Sequence, residues 1–294
     1  MKRYLKKMKP TLSPRKAKLK YTTLCLLWLI IPLCAEATPD KRPFESARPL
    51  YVGARALGMG NAFTAVADDA SAGFWNPAGL IQWQGVKLFA VNKFHDRSDY
   101  RFDPKGIGYS YRGYSLFWGN KIALGVDSGV PDFNYYGIAR QLGPYAAAGL
   151  SLKFKRKHPS NVYQFFGYET TYDLGVLFKP HPDFKFGCLA QNLDGYGIQW
   201  LTLGIAYRYA EHWLKSAPCE FSVDVAISTV GETPELYIGA EWFPFQFLCM
   251  RLGSSNGTLT TGIGVAWKGI GINYARIFEK PAASDFIAIA ISLQ

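Results

Sequence analysis

From about residue 86 to the C-terminus, short segments alternate between apolar and polar positions and are separated by Gly, Pro, Asn or Asp. A period of two residues predicts β-strands joined by turns. The segments run approximately over 86–94, 105–113, 120–127, 133–141, 144–154, 169–178, 184–192, 199–209, 219–228, 234–242, 247–254, 259–267, 270–277 and 285–293. They predict an all-β chain of about 14 antiparallel strands, an even number as in bacterial membrane barrels.

The two faces of these segments separate a membrane barrel from a soluble β-sandwich. In the segment 259–267 one face carries Leu259, Thr261, Ile263, Val265 and Trp267, and the other carries Thr260, Gly262, Gly264 and Ala266. A sandwich would place Lys and Glu on its solvent face, and these faces have almost none. We therefore predict a transmembrane β-barrel with an aliphatic face toward lipid and a small-residue face toward the lumen, while a soluble sandwich is the alternative.

Five charged residues within the segments fall on the face opposite the aliphatic one. They are Asp173, Arg208, Asp224, Glu241 and Arg251. We predict that all five line the lumen, because a charge facing lipid at mid-depth costs about 2–4 kcal/mol. Glu241 and Arg251 stand at similar heights on either side of one short turn, so we expect them to pair.

The first 37 residues are predicted to be a signal peptide. Nine Lys or Arg between Lys2 and Lys20 precede an apolar run of 11 residues and the triplet Ala35-Glu36-Ala37. The run is too short for a spanning helix, which needs about 20 residues. Removing nine basic residues and one acidic residue from the 33 and 22 of the whole chain leaves 24 and 21. The mature chain is then almost neutral, and no nucleic-acid partner is expected.

Residues 53–80 do not alternate and are predicted to form a compact plug, within a plug region 38–85 that precedes a barrel region 86–294. Gly58 and Gly60 permit turns and close backbone approach. Asp69 is placed to cap a short helix over 71–75, and Asn76-Pro77 would end it. A phosphate loop is disfavoured, because Phe63 stands where a third glycine would be needed.

This stretch resembles the N-terminal signature of FadL-like outer-membrane transporters and of the related PorV-type barrels. The similar pieces are Gly53-Ala54-Arg55, Gly58-Met59-Gly60, Ala67-Asp68-Asp69-Ala70, Asn76-Pro77-Ala78-Gly79-Leu80 and, downstream, Asp173-Leu174-Gly175, Gln191-Asn192-Leu193, Gly239-Ala240-Glu241 and Arg251-Leu252-Gly253. The resemblance implies a 14-stranded barrel with its N-terminal segment in the lumen. It also implies uptake of hydrophobic compounds such as long-chain fatty acids, or partnership with a secretion system. The mature chain is short for a fatty-acid transporter, and it ends in Gln294 instead of an aromatic residue.

No catalytic or metal-binding arrangement is recognisable. The histidines His95, His158, His181 and His212 all fall in or beside predicted loops. The cysteines of the mature chain lack metal-site spacing, so we expect no enzyme, no metal and no cofactor. The basic run Lys153, Lys155, Arg156 and Lys157 is interpreted as a solvated strand end, with lipopolysaccharide contact as the alternative.

The sequence thus predicts a channel for small hydrophobic molecules in the outer membrane of a Gram-negative-type (diderm) bacterium. The predicted plug or gate residues are Gly58, Gly60, Asp68, Asp69, Asn76, Pro77 and Ala78. Expected partners are outer-membrane lipid, a hydrophobic small molecule and the barrel-assembly machinery. The alternative function is a non-transporting PorV-type barrel that serves as a docking partner for secretion or surface assembly.

Overall fold

The computed structural model describes residues 52–93, 105–121, 133–155, 169–194, 198–209, 217–229, 231 and 233–293. The predicted signal peptide, residues 1–37, lies outside these ranges. So do His95, His158, His212, Arg156 and Lys157.

The chain forms one closed antiparallel barrel, in which each strand pairs with its neighbours in sequence and β1 pairs with β14. The strands are β1 Gly85–Lys93, β2 Lys105–Tyr111, β3 Tyr114–Lys121, β4 Phe133–Gln141, β5 Ala146–Lys155, β6 Glu169–His181, β7 Phe184–Gln191, β8 Trp200–Tyr209, β9 Cys219–Ser228, β10 Glu235–Phe245, β11 Leu248–Ser255, β12 Thr258–Trp267, β13 Ile270–Ile277 and β14 Ser284–Leu293. Closure gives every strand two partners and leaves no free edge. The predicted fold class is confirmed.

The third strand departs from the sequence prediction. We expected it over 120–127, and it runs from Tyr114 to Lys121. Arg112 and Gly113 form the turn before it, with φ of 49° and 78°. Two central residues with positive φ make the tight hairpin turn that matches strand twist. Arginine is unusual in this conformation. For this reason the predicted second strand, 105–113, includes the two turn residues.

Short turns gather at the end of the barrel where β1 begins and β14 finishes. The connections 112–113, 142–145, 182–183, 246–247 and 268–269 all lie there, because each joins an even-numbered strand to the next odd-numbered one. We call this the short-turn end. Short turns face the periplasm in bacterial barrels.

The outer face of the barrel is mostly apolar along the described strands. On β12, Leu259, Ile263 and Val265 are 43–48% exposed, whereas Thr260 on the other face is 1% exposed. Burying such a surface in hydrocarbon is the favourable arrangement, because it has too few polar groups for water. Among the described residues, no helix is long and apolar enough to cross a membrane.

Residues 52–84, which we call the lumenal segment, lie inside the barrel before β1. They contain helix α1 (Ala54–Gly58), helix α2 (Ala72–Trp75) and a 3-10 helix (Pro77–Gln82). Helix α1 contacts β11 to β14, and the 3-10 helix contacts β2 to β6. The lumenal segment therefore supplies most of the hydrophobic core, and the barrel wall encloses it.

The lipid-facing assignment can be tested with a charge at two depths. We expect Ile263→Lys, in the middle of β12, to lower the free energy of unfolding by about 2–4 kcal/mol. Leu293→Lys, also outward but at the end of β14, should cost about 0–1 kcal/mol, because its ammonium reaches the headgroups. Urea titration in lipid vesicles, read by the fast-migrating unboiled band, gives both values. Equal costs would contradict a lipid-facing position for Ile263.

Candidate functional site

Glycines on both sides allow the lumenal segment to lie directly against the barrel wall. Gly60 has φ of 62°, and a Cβ added there would stand 2.5 Å from the Ser254 nitrogen and 2.6 Å from the Ile238 oxygen. A Cβ on Gly58 would meet the Gly262 Cα at 3.1 Å. Side chains at these positions would push the backbones apart, which explains why the sequence has glycine there.

The Asn76-Pro77-Ala78 motif fits against glycines of β5 and β6. A Cβ on Gly149 would lie 2.4 Å from the carbonyl carbon of Pro77, and one on Gly175 would lie 2.1 Å from Asn76 Oδ1. Asn76 is extended (φ −158°) and ends helix α2 at Trp75. Its Nδ2 donates to the carbonyl oxygens of Thr64 (2.9 Å) and Val176 (3.1 Å), and its Oδ1 accepts from the Ala78 N–H (3.1 Å).

Asp224 holds the middle of the lumenal segment. Its carboxylate is fully buried on β9 and accepts the backbone N–H groups of Phe63 at 2.9 Å and Thr64 at 2.7 Å. These donors belong to irregular chain that has no strand partner. An unmet buried N–H would cost about 1–3 kcal/mol. Asp224 thus satisfies two of them from the wall.

An ion cluster around Arg55 joins the lumenal segment to β10 and β11. Arg55 Nη2 lies 2.7 Å from Glu241 Oε2, and Arg251 Nε lies 2.6 Å from Glu241 Oε1. Arg55 also pairs with Asp68. The expected pairing of Glu241 with Arg251 therefore occurs, and Arg55 makes it a three-residue group. Two guanidiniums around one fully buried carboxylate satisfy it well.

Asp68 extends this cluster to β7. Lys185 Nζ lies 3.5 Å from Asp68 and 2.9 Å from Glu220. Burial alone would raise the pKa of the Asp68 carboxyl, but the positive charges of Arg55 and Lys185 hold it well below its ordinary value. Asp69 accepts from the Ser71 N–H at 2.8 Å and the Ser71 hydroxyl at 2.6 Å, and its Oδ2 lies farther from the cluster, 3.9 Å from Arg55 Nη1. It thus bonds to the residue before helix α2.

Lys153 is not the solvated strand end that the basic run suggested. It is fully buried on the lumenal side of β5, and its Nζ lies 2.6 Å from both Asp173 Oδ1 and Asn192 Oδ1. Asp173 also accepts the Asn192 N–H at 3.0 Å. The charge is inside because Lys153 shares the inward phase of Ser151 on β5. A charge count along the chain does not reveal this phase.

Arg208 is the predicted lumenal charge that the structure places differently. It shares the inward phase of β8 but lies next to the short-turn end, where its side chain is exposed. Its backbone N–H donates to the Asp183 carbonyl oxygen in the neighbouring turn at 2.8 Å. The end of β8 that carries Arg208 extends beyond the part of the lumen that the lumenal segment fills. His181 is in the same region, with its side chain 62% exposed.

The opposite side of the lumen is aromatic. Inward-facing rings on β1, β3, β4 and β14 form what we call the aromatic wall: Phe89, Phe117, Phe133, Tyr135 and Phe286. Phe74 of helix α2 inserts among them. Its ring centroid lies 4.5 Å from Tyr135, 5.2 Å from Phe117 and 5.8 Å from Phe89.

Two bulky rings of the lumenal segment occupy spaces left by glycines on β2 and β3. A Cβ on Gly119 would stand 2.5 Å from Phe74, and one on Gly108 would stand 2.7 Å from Trp83. Among the described inward-facing side chains of β2 to β4, from Gly106 to Ala139, none is charged. The lumen is therefore two-sided, with ion pairs on β5 to β11 and uncharged groups on β2 to β4. Lys87 on β1 also points inward, and its Nζ donates to the Asp68 carbonyl oxygen at 3.2 Å, so the charged side reaches β1.

Sequence reasoning missed Arg55, Phe74, Trp83 and Lys185 as site residues. Phe74 and Trp83 were recognisable as large rings in a segment without strand periodicity. Lys185 and its partner Asp68 come from distant parts of the chain, so only the fold could bring them together. Among the described residues, no group of His, Cys, Asp or Glu side chains is arranged to hold a metal ion.

Comparison with known structures identifies the fold. The barrel is similar to the crystal structure of a Pseudomonas aeruginosa FadL homologue, with a TM-score of 0.50 and 9% identity over 80% of this chain and 96% of the homologue. A second similar structure is the Pseudomonas putida toluene transporter TodX, with a TM-score of 0.48 and 13% identity over 82% of this chain and 96% of TodX. No protein-family model and no curated protein matches the sequence. The predicted resemblance to FadL-like proteins is confirmed for the fold, and the PorV resemblance stays a prediction.

The role of Asp68 can be separated from that of its neighbour. We expect Asp68→Asn to lower the free energy of unfolding by about 1–3 kcal/mol, because Arg55 and Lys185 lose a charged acceptor. Asp69→Asn should change it by about 0.5 kcal/mol or less, since an amide oxygen can still accept from Ser71 and the Asp69 carboxylate lies 3.9 Å from Arg55, at the limit of an ion pair. Urea midpoints of the two folded barrels give the comparison. A larger loss for Asp69→Asn would contradict the ion cluster as the anchor.

The same carboxyl predicts a pH dependence. Because the pKa of Asp68 is lowered in the folded state, its stabilisation is present above the ordinary carboxyl pKa and is lost as pH falls through the folded pKa. The difference in stability between the wild type and Asp68→Asn should therefore stay constant from about pH 8 to about pH 5 and shrink below about pH 4. A difference that already shrinks near neutral pH would contradict the lowered pKa.

Proposed function

We propose that this protein is an outer-membrane channel for small hydrophobic molecules, with the lumenal segment as its plug or gate. The observation that carries the proposal is the aromatic wall, with Phe74 and Trp83 placed over glycines along it. The resemblance of the sequence to FadL-like transporters supports it, and the shared barrel fold is consistent with it. Residues 1–37 as an export signal and insertion by the barrel-assembly machinery belong to the same proposal.

An apolar solute needs a continuous apolar surface on its way through a lumen. Charged groups along the route would have to give up their partners or water, which costs free energy. The side of the lumen formed by β2 to β4, together with Phe89 of β1, offers such a surface, since Phe89, Phe117 and Tyr135 follow one another around the wall. Withdrawal of Phe74 would leave the space over Gly119 open beside these rings.

The contacts of the lumenal segment suggest which part of it moves. On the charged side, Arg55 is tied to Glu241 and Asp224 is tied to the backbone of residues 63 and 64. On the aromatic side, Phe74 contacts the wall through rings, and Gly73 O accepts from Ser151 Oγ at 2.9 Å. We therefore propose that the charged side stays anchored and that helix α2 is displaced when a solute passes.

A second candidate function is a closed, non-transporting barrel that docks a secretion or surface-assembly protein, as in the PorV-type interpretation. The close fit favours it, since Gly60, Gly149, Gly187 and Gly239 leave less than a Cβ of space between the segment and the wall. Fatty-acid-like molecules as the transported class rest on the sequence resemblance alone.

Transport and its route can be tested together in cells that lack their own fatty-acid transporter. Expression of the wild type should give saturable uptake of labelled oleate. We expect Phe74→Ala to raise the entry of an apolar dye, phenylnaphthylamine, several-fold, because removing the ring opens the space beside Gly119. Phe63→Ala is the matched control, since this equally buried ring packs on Trp75 with centroids 6.0 Å apart. It should leave dye entry at the wild-type rate.

The results separate the two functions. No oleate uptake above vector-only cells, with dye entry unchanged in Phe74→Ala, would contradict the channel. If a bound protein is then lost from the barrel in the Phe74→Ala variant, the docking function becomes the better account. All variants must run as fast-migrating unboiled barrels for the comparison.

A further inference from the structure

A groove of about 780 Å³ lies on the outside of the barrel, over β2 to β6 and next to the short-turn end. Two cross-strand rows of outward side chains form it. The row farther from the short turns is Tyr109, Leu116, Ile138, Leu150 and Leu174, and the row nearer to them is Tyr111, Tyr114, Arg140 and Ala148. The farther row is apolar over five strands, apart from one phenol.

Ala148 makes this part of the surface concave. It stands directly beside Arg140 in the register of β4 and β5. The Arg140 guanidinium leans the other way and lies 5.3 Å from the centre of the Tyr114 ring. A one-carbon side chain between Arg140 and Val176 leaves a gap that continues upward toward Leu150 and Ile138.

Two guanidiniums border the lower end of the groove. Arg140 is exposed on the outer face, and Arg112 is exposed in the β2–β3 turn, 5.0 Å from the centre of the Tyr111 ring. Within the described ranges, neither makes an ion pair with a carboxylate. An outward-facing charge on a barrel is tolerated where it reaches the headgroup region. The short-turn end places both there, among three tyrosines, Tyr109, Tyr111 and Tyr114, of the kind that favour this level.

We propose that the groove binds one phospholipid of the periplasmic leaflet, with its phosphate between Arg112 and Arg140. Guanidinium groups bind phosphate oxygens with paired, charge-assisted hydrogen bonds. One acyl chain then follows the gap over Ala148 and packs on Leu116, Ile138 and Leu150. The charge of the two arginines is complementary to the phosphate, and the length of apolar surface above them suits a chain of hydrocarbon. This site is independent of transport through the lumen.

Lipid retention by the intact protein tests the proposal. The full mature barrel is extracted in mild detergent, incubated with palmitoyl-oleoyl phosphatidylglycerol, and examined by native mass spectrometry. We expect the wild type to retain one lipid. The double variant Arg112→Gln/Arg140→Gln should retain it about 100-fold less tightly, since each lost charge-assisted contact costs about a factor of ten.

Two further variants separate the groove from general basic character. Lys268→Gln removes a cation that lies 5.8 Å from the centre of the Trp267 ring at another short turn, and it should leave retention unchanged. Ala148→Phe keeps both arginines but fills the gap, and it should weaken retention. Each variant must keep the heat-modifiable barrel band before its retention is compared.

Four outcomes would overturn the proposal. The first is equal retention by the wild type and the Arg112→Gln/Arg140→Gln variant. The second is retention of palmitoyl-oleoyl glycerol, which has the same chains without a phosphate, as tightly as phosphatidylglycerol. The third is displacement of the lipid by inorganic phosphate alone, which would make the site a simple anion site. A dimer that forms through this face in place of lipid binding would also contradict it.

Discussion

Asp224 accepts two backbone N–H groups of the lumenal segment. This contact meets a requirement on which the rest of the lumen depends, namely that buried backbone groups have hydrogen-bond partners. Irregular chain inside a closed barrel has no neighbouring strand to bond with, yet its polar backbone groups need partners. The wall supplies them through the Asp224 carboxylate and through the Ser151 hydroxyl, which donates to Gly73 O. The Val176 carbonyl oxygen also accepts from the Asn76 side-chain amide. Such contacts need close approach, and glycines on the facing strands permit it.

The lumenal segment is hydrogen-bonded to the wall on the side of β5 to β11. Charged side chains of these strands form ion pairs with charged residues of the segment. Arg55 is held by Glu241 and Asp68, and Lys185 by Asp68 and Glu220. Removing either partner of a buried pair leaves a charge without compensation, so the two halves of the cluster depend on each other. The rings of the aromatic wall on β3 and β4 carry no charge and need no such partners. They pack against the Phe74 ring instead. This asymmetry is why we place the moving part at helix α2.

The outer face of the barrel is in contact with lipid and not with the lumenal segment. Exposure of Ile263 and Leu252 is favourable in lipid and unfavourable in water. A charge that faces lipid is destabilising except near the headgroups. Arg112 and Arg140 stand near the short turns, where that exception applies. The same rule therefore accounts for the apolar belt and for the position of the proposed lipid groove. The lumen and the outer face can change independently, because alternate residues of each strand point to opposite sides.

The sequence by itself determined the architecture, because a period of two, an aliphatic face and regular turn residues are local properties of each strand. It also indicated the lumenal segment, because these residues lack the period of two. Gly60 and Asn76-Pro77 within them are typical of irregular chain. Only the tertiary structure decided the partners. Arg55 meets Glu241 across 186 positions, and Phe74 meets Tyr135 of β4, contacts that depend on how the segment enters the closed barrel. The inward burial of Lys153 and the exposed end position of Arg208 were decided in the same way, since phase and height within a barrel are properties of the assembled wall.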